Sequence, residues 1–346
     1  MLRKGVATFR MEGTIYHSDT CEPLRRAAGD GQVVLRAFAR GGYPGERIPD
    51  GVLQGVKSIG YWHAEADQDW YLDWHRNEGI ELTFLAAGSF RFDVAEAGTF
   101  ELMADQLTVT RPWQPHRVGY PCLPPNKLYW LILDVGVRRP NQEWRWPSWI
   151  ALSATDLERL TQLLRGNEHP VWPAGVEIRQ CFARLDRLLE SGDPTREESA
   201  LRLLINSLLL ETLRMLERED PDLDPALASS ERTVKLFLES LPFRLDEAWD
   251  LPAMAAECGL GKSSFSLHCW KLTGMSPKAY LSWLRIERAK ELLRRGQHSI
   301  TEVAMACGFS SSQYFATVFR AHTGCSPTQY LREDQALQAS GQVRTA

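Results

Sequence analysis

One stretch of this chain occurs twice. The segment LPAMAAECG, Leu251 to Gly259, returns as ITEVAMACG, Ile300 to Gly308, and FSLHCWKLTGMSPKAYL, Phe265 to Leu281, returns as FATVFRAHTGCSPTQYL, Phe315 to Leu331, 49 to 50 residues later. A repeat constrains the fold more than composition does, because both copies must find the same solution. In the opening part of each copy the apolar residues fall at i, i+3, i+4 and i+7: Leu251, Met254, Ala255 and Cys258, then Ile300, Val303, Ala304 and Cys307. That spacing predicts two short amphipathic helices. Asp250 is placed to N-cap the first, with Pro252 in its opening turn, and Ser299 with Glu302 makes a capping box for the second. Gly259 and Gly308 end them, since glycine adopts the positive φ of a helix C-terminus. A second helix follows in each copy, with Phe265, Cys269 and Leu272 or Phe315, Val318 and Phe319 turned inward. Helix, glycine turn, helix is the helix-turn-helix pattern.

A single helical hairpin of this kind is as consistent with plain packing as with DNA binding. Two copies that both run on into T-G-x-S-P-x-x-Y-L, Thr273 to Leu281 and Thr323 to Leu331, shift the balance toward DNA. In that ending Ser276 or Ser326 caps the next helix and Pro277 or Pro327 fills its first position. From Pro277 to about Arg295 the chain reads as one continuous helix, roughly 28 Å long at 1.5 Å per residue. A spacer of that length sets the two second helices into successive major-groove faces, which lie about 34 Å apart. One chain would then read an asymmetric site.

Net charge gives weak support. The whole 346-residue chain is at −4, yet Glu231 to Glu333 holds 13 Lys and Arg against 10 Asp and Glu. With 44% hydrophobic and 24% charged residues the chain is long enough for two or three cores, so at least two domains are expected. The start, MLRKGVATFRMEG, lacks the apolar stretch of a signal peptide, and no run approaches a membrane span, so a cytoplasmic protein without membrane partners is expected. The seven cysteines lie far apart with no C-x-x-C pair, which predicts reduced, buried thiols.

The motifs A-x-x-C-G-L, F-x-x-x-C-W-K-x-T-G-M-S-P, Y-L-x-W-L-R-I-E-R-A-K-E-L-L, I-T-E-V-A-x-x-x-G-F and T-G-x-S-P, taken in order, resemble the AraC/XylS transcription regulators over about 100 residues. The resemblance implies two recognition helices. On their base-facing sides it places Ser263, Ser266 and Leu267, then Ser312, Gln313, Ala316 and Thr317. Gln313 suits adenine, Leu267 and Ala316 suit thymine methyls, and Lys262, Lys271 and Arg320 suit phosphates. Cys269 departs from the family pattern, which has phenylalanine there, and implies a less fully packed first recognition helix.

From Val33 to about Val137 the texture changes to short β-rich runs broken by Gly and Pro, which predicts an all-β sandwich or barrel. His75 to Gly88 and Ala104 to His116 resemble the two cupin motifs of AraC-type ligand-binding domains. The expected fold class is therefore α+β and multidomain: an N-terminal cupin-like β-barrel with flanking helices, and an all-α domain of two helix-turn-helix units joined by a long helix. Of the metal ligands of metal-binding cupins only His75, Glu81 and His116 stand at comparable places, and the paired H-x-H is absent. The resemblance thus implies a small-molecule pocket without a metal or other cofactor. Candidates for it are Trp74, His75, Arg76, Glu78, Glu81, Trp113 and His116. Dense tryptophan, including Trp62, Trp70, Trp130, Trp144, Trp146 and Trp149, suits a sugar or aromatic effector, or simply fills the core.

Two apolar helices follow, Val176 to Glu190 and Glu197 to Glu217. The second has too many leucines for one stripe, which predicts cover from the barrel and from a second subunit, as in a homodimer. The polar run Glu219 to Glu231 reads as a linker. The expected plan is a ligand-binding domain at 1–150, a dimerising helical region at 151–218, a linker at 219–230, the DNA-binding domain at 231–335 and a disordered tail at 336–346. The leading expectation is a non-enzymatic, effector-responsive regulator that binds double-stranded DNA, and RNA polymerase if it activates transcription. Two rivals stand beside it: a cupin metalloenzyme using His75, Glu81 and His116, and a constitutive regulator whose barrel serves only to dimerise. An alkyl-transfer repair protein would need a clustered cysteine zinc site, and the sequence has none.

Overall fold

A computed structural model describes residues 8–11, 14–17 and 21–339, with side chains for 21–333. Strands β1 (Thr8–Met11) and β2 (Thr14–His17) form a two-stranded sheet. The chain separates into two compact units, which from residue 21 onward meet between Ser229 and Ser230.

The first unit runs α1 (Glu22–Gly29), β3 (Val34–Ala39), β4 (Glu46–Arg47), β5 (Val56–Ala64), β6 (Leu72–His75), β7 (Ile80–Ala87), β8 (Ser89–Val94), β9 (Gly98–Met103), β10 (Gln106–Thr110), β11 (His116–Val118) and β12 (Asn126–Leu133), followed by α2 (Ala154–Gly166), β13 (Val171–Pro173), α3 (Val176–Glu190) and α4 (Glu198–Glu219). Seven strands make one sheet in the order β13-β10-β7-β12-β5-β3-β4, and four make a second, β6-β11-β8-β9. Only β3 with β4 is parallel; the other pairings in these sheets are antiparallel.

The central strands β5, β7 and β12 are largely buried on both faces, and β7 and β12 accordingly carry the apolar runs LTFLAA and LYWLIL. Ile59, Leu82, Phe84, Tyr129 and Leu131 turn toward the helices, where Phe182 of α3 stacks on Phe84 at 5.2 Å. Trp62, Leu85, Leu128, Trp130 and Ile132 turn the other way, into a core shared with Phe90, Phe92 and Val118 of the smaller sheet.

The expected closed cupin-like barrel does not form. The large sheet is open, with β13 and β4 as unpaired edges. Closure needs every edge strand to find a partner at a consistent tilt and shear. Here one edge is two residues long and the other is three, ending in Pro173, which has no N–H to donate. Short β-rich runs broken by Gly and Pro satisfy an open sheet as well as a barrel, and alternation along a strand carries no information about closure.

Helix α4 is covered by α2 and α3 within the same chain and buries nine residues from Leu201 to Leu216, while Leu203 stays 71% exposed. The segment read as a linker contains a 3-10 turn, Pro225–Ala228, with Leu227 buried.

The second unit holds α5 (Ser230–Ser240), α6 (Leu251–Glu257), α7 (Lys262–Thr273), α8 (Pro277–Arg295), α9 (Ile300–Ala306), α10 (Ser312–Thr323) and α11 (Pro327–Ala339). Its helix starts follow the local signals. Asp250 accepts from Ala253 N at 2.8 Å, Ser276 accepts from Ala279 N at 3.3 Å, and Ser299 with Glu302 completes the capping box. Gly259 and Gly308 take φ of 64° and 76°. Of the tail expected at 336–346, residues 336–339 belong to the last turn of α11, and the remainder lies outside the described residues.

Candidate functional site

In both repeats the second helix presents its N-terminal half outward. On α7, Lys262, Ser263 and Leu267 are exposed and Ser266 is half-buried; on α10, Gln313, Thr317 and Arg320 are exposed while Ser312 and Ala316 are half-buried. Phe265 with Cys269, and Phe315 with Phe319, anchor the opposite faces at complete burial. The Thr317 hydroxyl donates back to Gln313 O at 3.1 Å. Lys271 Nζ lies 4.0 Å from Glu231 Oε2, and His268 Nδ1 is 3.6 Å from the same oxygen. A phosphate at Lys271 therefore competes with a carboxylate.

Cys269 fills the position that Phe319 holds in the second copy. Its Sγ lies 3.7 Å from Met275 O, and burial pushes its thiol pKa up. On the same core, Phe237 of α5 packs edge-on against Phe265 at 5.7 Å. Trp270 was not among the expected contacts, yet it is 61% exposed and continues the stripe of Ser263 and Leu267. Setting the two copies in register would have found it, because Trp270 stands where the second copy has Arg320.

In the first unit a second constellation lies between the two sheets. His75 and His116 are paired across β6 and β11, and their rings meet at 4.2 Å. From the opposing sheet Glu81 places Oε2 2.9 Å from His116 Nε2, and Asn77 Nδ2 donates to the same oxygen at 2.9 Å. Burial by itself would raise the Glu81 carboxyl, but His116, His75 and Asn77 together hold it below its ordinary value. Tyr43 extends the network, its hydroxyl donating to Glu78 Oε2 at 2.6 Å and lying 2.9 Å from Asn77 Oδ1.

These side chains open onto a cavity of about 30 Å³ whose walls include Trp62, Phe92 and Trp130. That is room for about two waters, against several hundred Å³ for a typical small-molecule site. Of the seven expected pocket residues, His75, Glu81 and His116 come together on this cavity. Trp74 is 48% exposed, with the Arg117 guanidinium 5.1 Å from its ring. Arg76 is half-buried, Glu78 is buried one layer back with Lys57 Nζ 3.4 Å away, and Trp113 is buried with its Nε1 donating to Val137 O at 2.8 Å. None of these four lines the cavity. Asn77, Tyr43 and Ser58 were missed, because Ser58 reaches it through the pairing of β5 and the loop residues Asn77 and Tyr43 only through the folding of distant segments. Among the described residues no group of three or more His, Cys, Asp and Glu side chains is arranged to hold a metal ion. Nor is any described helix long and apolar enough to cross a membrane.

Two helix-turn-helix units joined by one connecting helix are the arrangement expected of a DNA-binding transcription regulator. Residues 254–333 match the family model for a helix-turn-helix domain. The virulence regulon transcriptional activator VirF of Yersinia enterocolitica is 28% identical over 257 residues, 68% of this chain and 89% of that protein. The transcriptional activator RhaS of Escherichia coli is 29% identical over 151 residues, 44% of this chain and 52% of that one. Among solved structures, the C-terminal domain of AraT, a response regulator from Geobacillus stearothermophilus, is 26% identical over 29% of this chain and 84% of that one, with a TM-score of 0.29. The family match and the curated relatives support homology with the AraC/XylS helix-turn-helix transcription regulators. Both curated relatives are transcriptional activators.

Proposed function

We propose that this chain regulates transcription by setting α7 and α10 into adjacent major-groove faces of an asymmetric DNA site, under the control of a small-molecule effector. The observation that carries the reading is the repeated outward stripe, Ser263, Ser266, Leu267 and Trp270 on α7 and Gln313, Ala316, Thr317 and Arg320 on α10. The short uncharged side chains of Ser263, Ser266, Ala316 and Thr317 let the backbone approach base edges, and the cations Lys262 and Arg320 favour the phosphate backbone.

Gln313 and Arg320 then do different work. Against a duplex selected by the protein from a random library, Gln313→Ala should lose about 1–3 kcal/mol at one base position and little elsewhere. Arg320→Ala should weaken every sequence alike and reduce the salt slope by about one unit. Unchanged binding by both variants in fluorescence anisotropy rules out this docking.

For the effector, the support is the cavity between the sheets with its His75, Glu81, His116 and Asn77 cluster and tryptophan walls. Amide, carboxylate and imidazole groups beside indole faces suit a polyhydroxylated or aromatic compound. A sugar-sized ligand is larger than the cavity, so binding must displace lining side chains. Homodimerisation belongs to the same reading, with the exposed Leu203 of α4 as the residue favouring it. RNA polymerase is a further partner if the chain activates transcription.

A further inference from the structure

The second unit contains two apolar cores that stay separate. One gathers side chains from Val234 to Leu284 around Phe265 and Cys269; the other gathers those from Ile286 to Tyr330 around Phe315 and Phe319. The seam falls on α8 between Leu284 and Ile286, and the residue at the seam is Arg285. Covalently the second core is joined to α8 through the turn at Gly296, which takes φ of 65° in open surroundings.

Arg285 makes contacts on both sides of the seam. Its Nε donates to Leu245 O at 3.1 Å and its Nη2 to Glu247 O at 2.9 Å, in the loop that leads into α6 beside the first core. The same guanidinium lies 5.8 Å from the ring of Phe309, which is buried in the second core. Gly308, in the turn between α9 and α10, closes in so far that a Cβ there would stand 2.0 Å from Leu245 O and 2.6 Å from Arg285 Nη2. Backbone of the second helix-turn-helix unit is thus in contact with the group that fastens the first.

We propose that Arg285 is a positioning residue that locks the second helix-turn-helix unit against the first, and so sets the distance and rotation between α7 and α10. The inference rests on the DNA-binding reading above. Apolar cores are non-directional, whereas a planar guanidinium bonded to two carbonyls fixes orientation. Lysine reaches similar places but lacks the fork that meets both carbonyls at once.

The test uses the full chain and a duplex selected by the wild-type protein from a random library, together with the same duplex carrying one added base pair between the two contacted turns. One base pair rotates the far contact by about 35°. The wild type should lose about tenfold or more in affinity on insertion, whereas Arg285→Ala should bind the parent duplex about tenfold more weakly and lose less than about threefold on insertion. Arg285→Lys should fall between, and Gln313→Ala should be weaker throughout while keeping the wild-type insertion penalty. An Arg285→Ala protein with native circular dichroism and the full insertion penalty overturns the proposal.

A second measurement needs no DNA. Amide hydrogen exchange of Arg285→Ala should speed up at residues 245–249 and 307–310 and leave α7 and α10 protected. Loss of protection throughout both helices, or no change at either segment, also overturns it. A wild type that selects no duplex removes the DNA reading, and the exchange experiment then still decides whether Arg285 locks the two units.

Discussion

Three carboxylates in the first unit sit where burial alone would raise their pKa. Glu81 is held ionised by His116, His75 and Asn77, Asp93 by Thr99, Arg91 and Arg117, and Asp134 by Arg138, Lys57 and the Gly136 amide, so all three lie below their ordinary pKa. A folded pKa below the unfolded one means stability that is present above the ordinary carboxylate range and is lost as pH falls through the folded pKa. The first unit should therefore melt at progressively lower temperature as pH is taken from about 5 to about 3. Asp134 accepts from Arg138 Nη2 at 2.9 Å and Gly136 N at 2.8 Å. Asp134→Asn should cost about 1–3 kcal/mol at neutral pH and flatten this acid limb. An unchanged melting-versus-pH curve for that variant contradicts the assignment. Nothing in the sequence marked Asp134, because the chain says where a carboxylate is and not which cations fold back onto it.

At the scale of elements, α6, α8, α9 and α10 start at their capping residues because caps are local: Ser299 and Glu302 are three residues apart and need no distant partner. Glycines show where locality ends. Gly296 and Gly308 both follow a helix with positive φ and look alike in the sequence, yet a Cβ on Gly296 meets nothing within 4 Å, whereas one on Gly308 meets Leu245 O. Gly296→Ala should lose about 1 kcal/mol, the strain of a left-handed residue bearing a side chain. Gly308→Ala adds a backbone collision and should cost several-fold more in chemical denaturation of the second unit. Equal losses would mean that the close approach to Leu245 carries no energy. Strands obey a different logic, since IELTFL and KLYWLIL are equally good as central strands of a barrel or of an open sheet. The choice lay in β4 and β13, too short to pair further.

At the scale of the whole molecule, effector control requires that a ligand bind more tightly to one DNA-binding state than to the other. Titration calorimetry with a compound that raises the melting temperature of the first unit should give affinities differing by about 5- to 150-fold with and without the selected duplex. Equal affinities leave a binding site without regulation. The cavity's small volume adds a further expectation: replacing Trp130, whose Nε1 donates to Ser58 Oγ at 2.8 Å, by Phe should alter effector affinity more than replacing the outward-facing Trp74.

The tandem units were legible from the start because everything that specifies each one lies within a single short stretch, Asp250 to Pro277 or Ser299 to Pro327: apolar period, cap, glycine turn and proline. By itself the sequence determined two helix-turn-helix copies, the length of their connecting helix and the stripe each turns outward. Tertiary structure decided that the sheet stays open, that His75, Glu81 and His116 converge while Trp74 and Trp113 do not, and that Arg285 spans two separate cores. Each of these depends on groups from separate elements, such as Glu81 with His116 or Leu245 with Arg285, being brought together by strand register or helix packing, and that information is carried by the fold as a whole and by no local pattern.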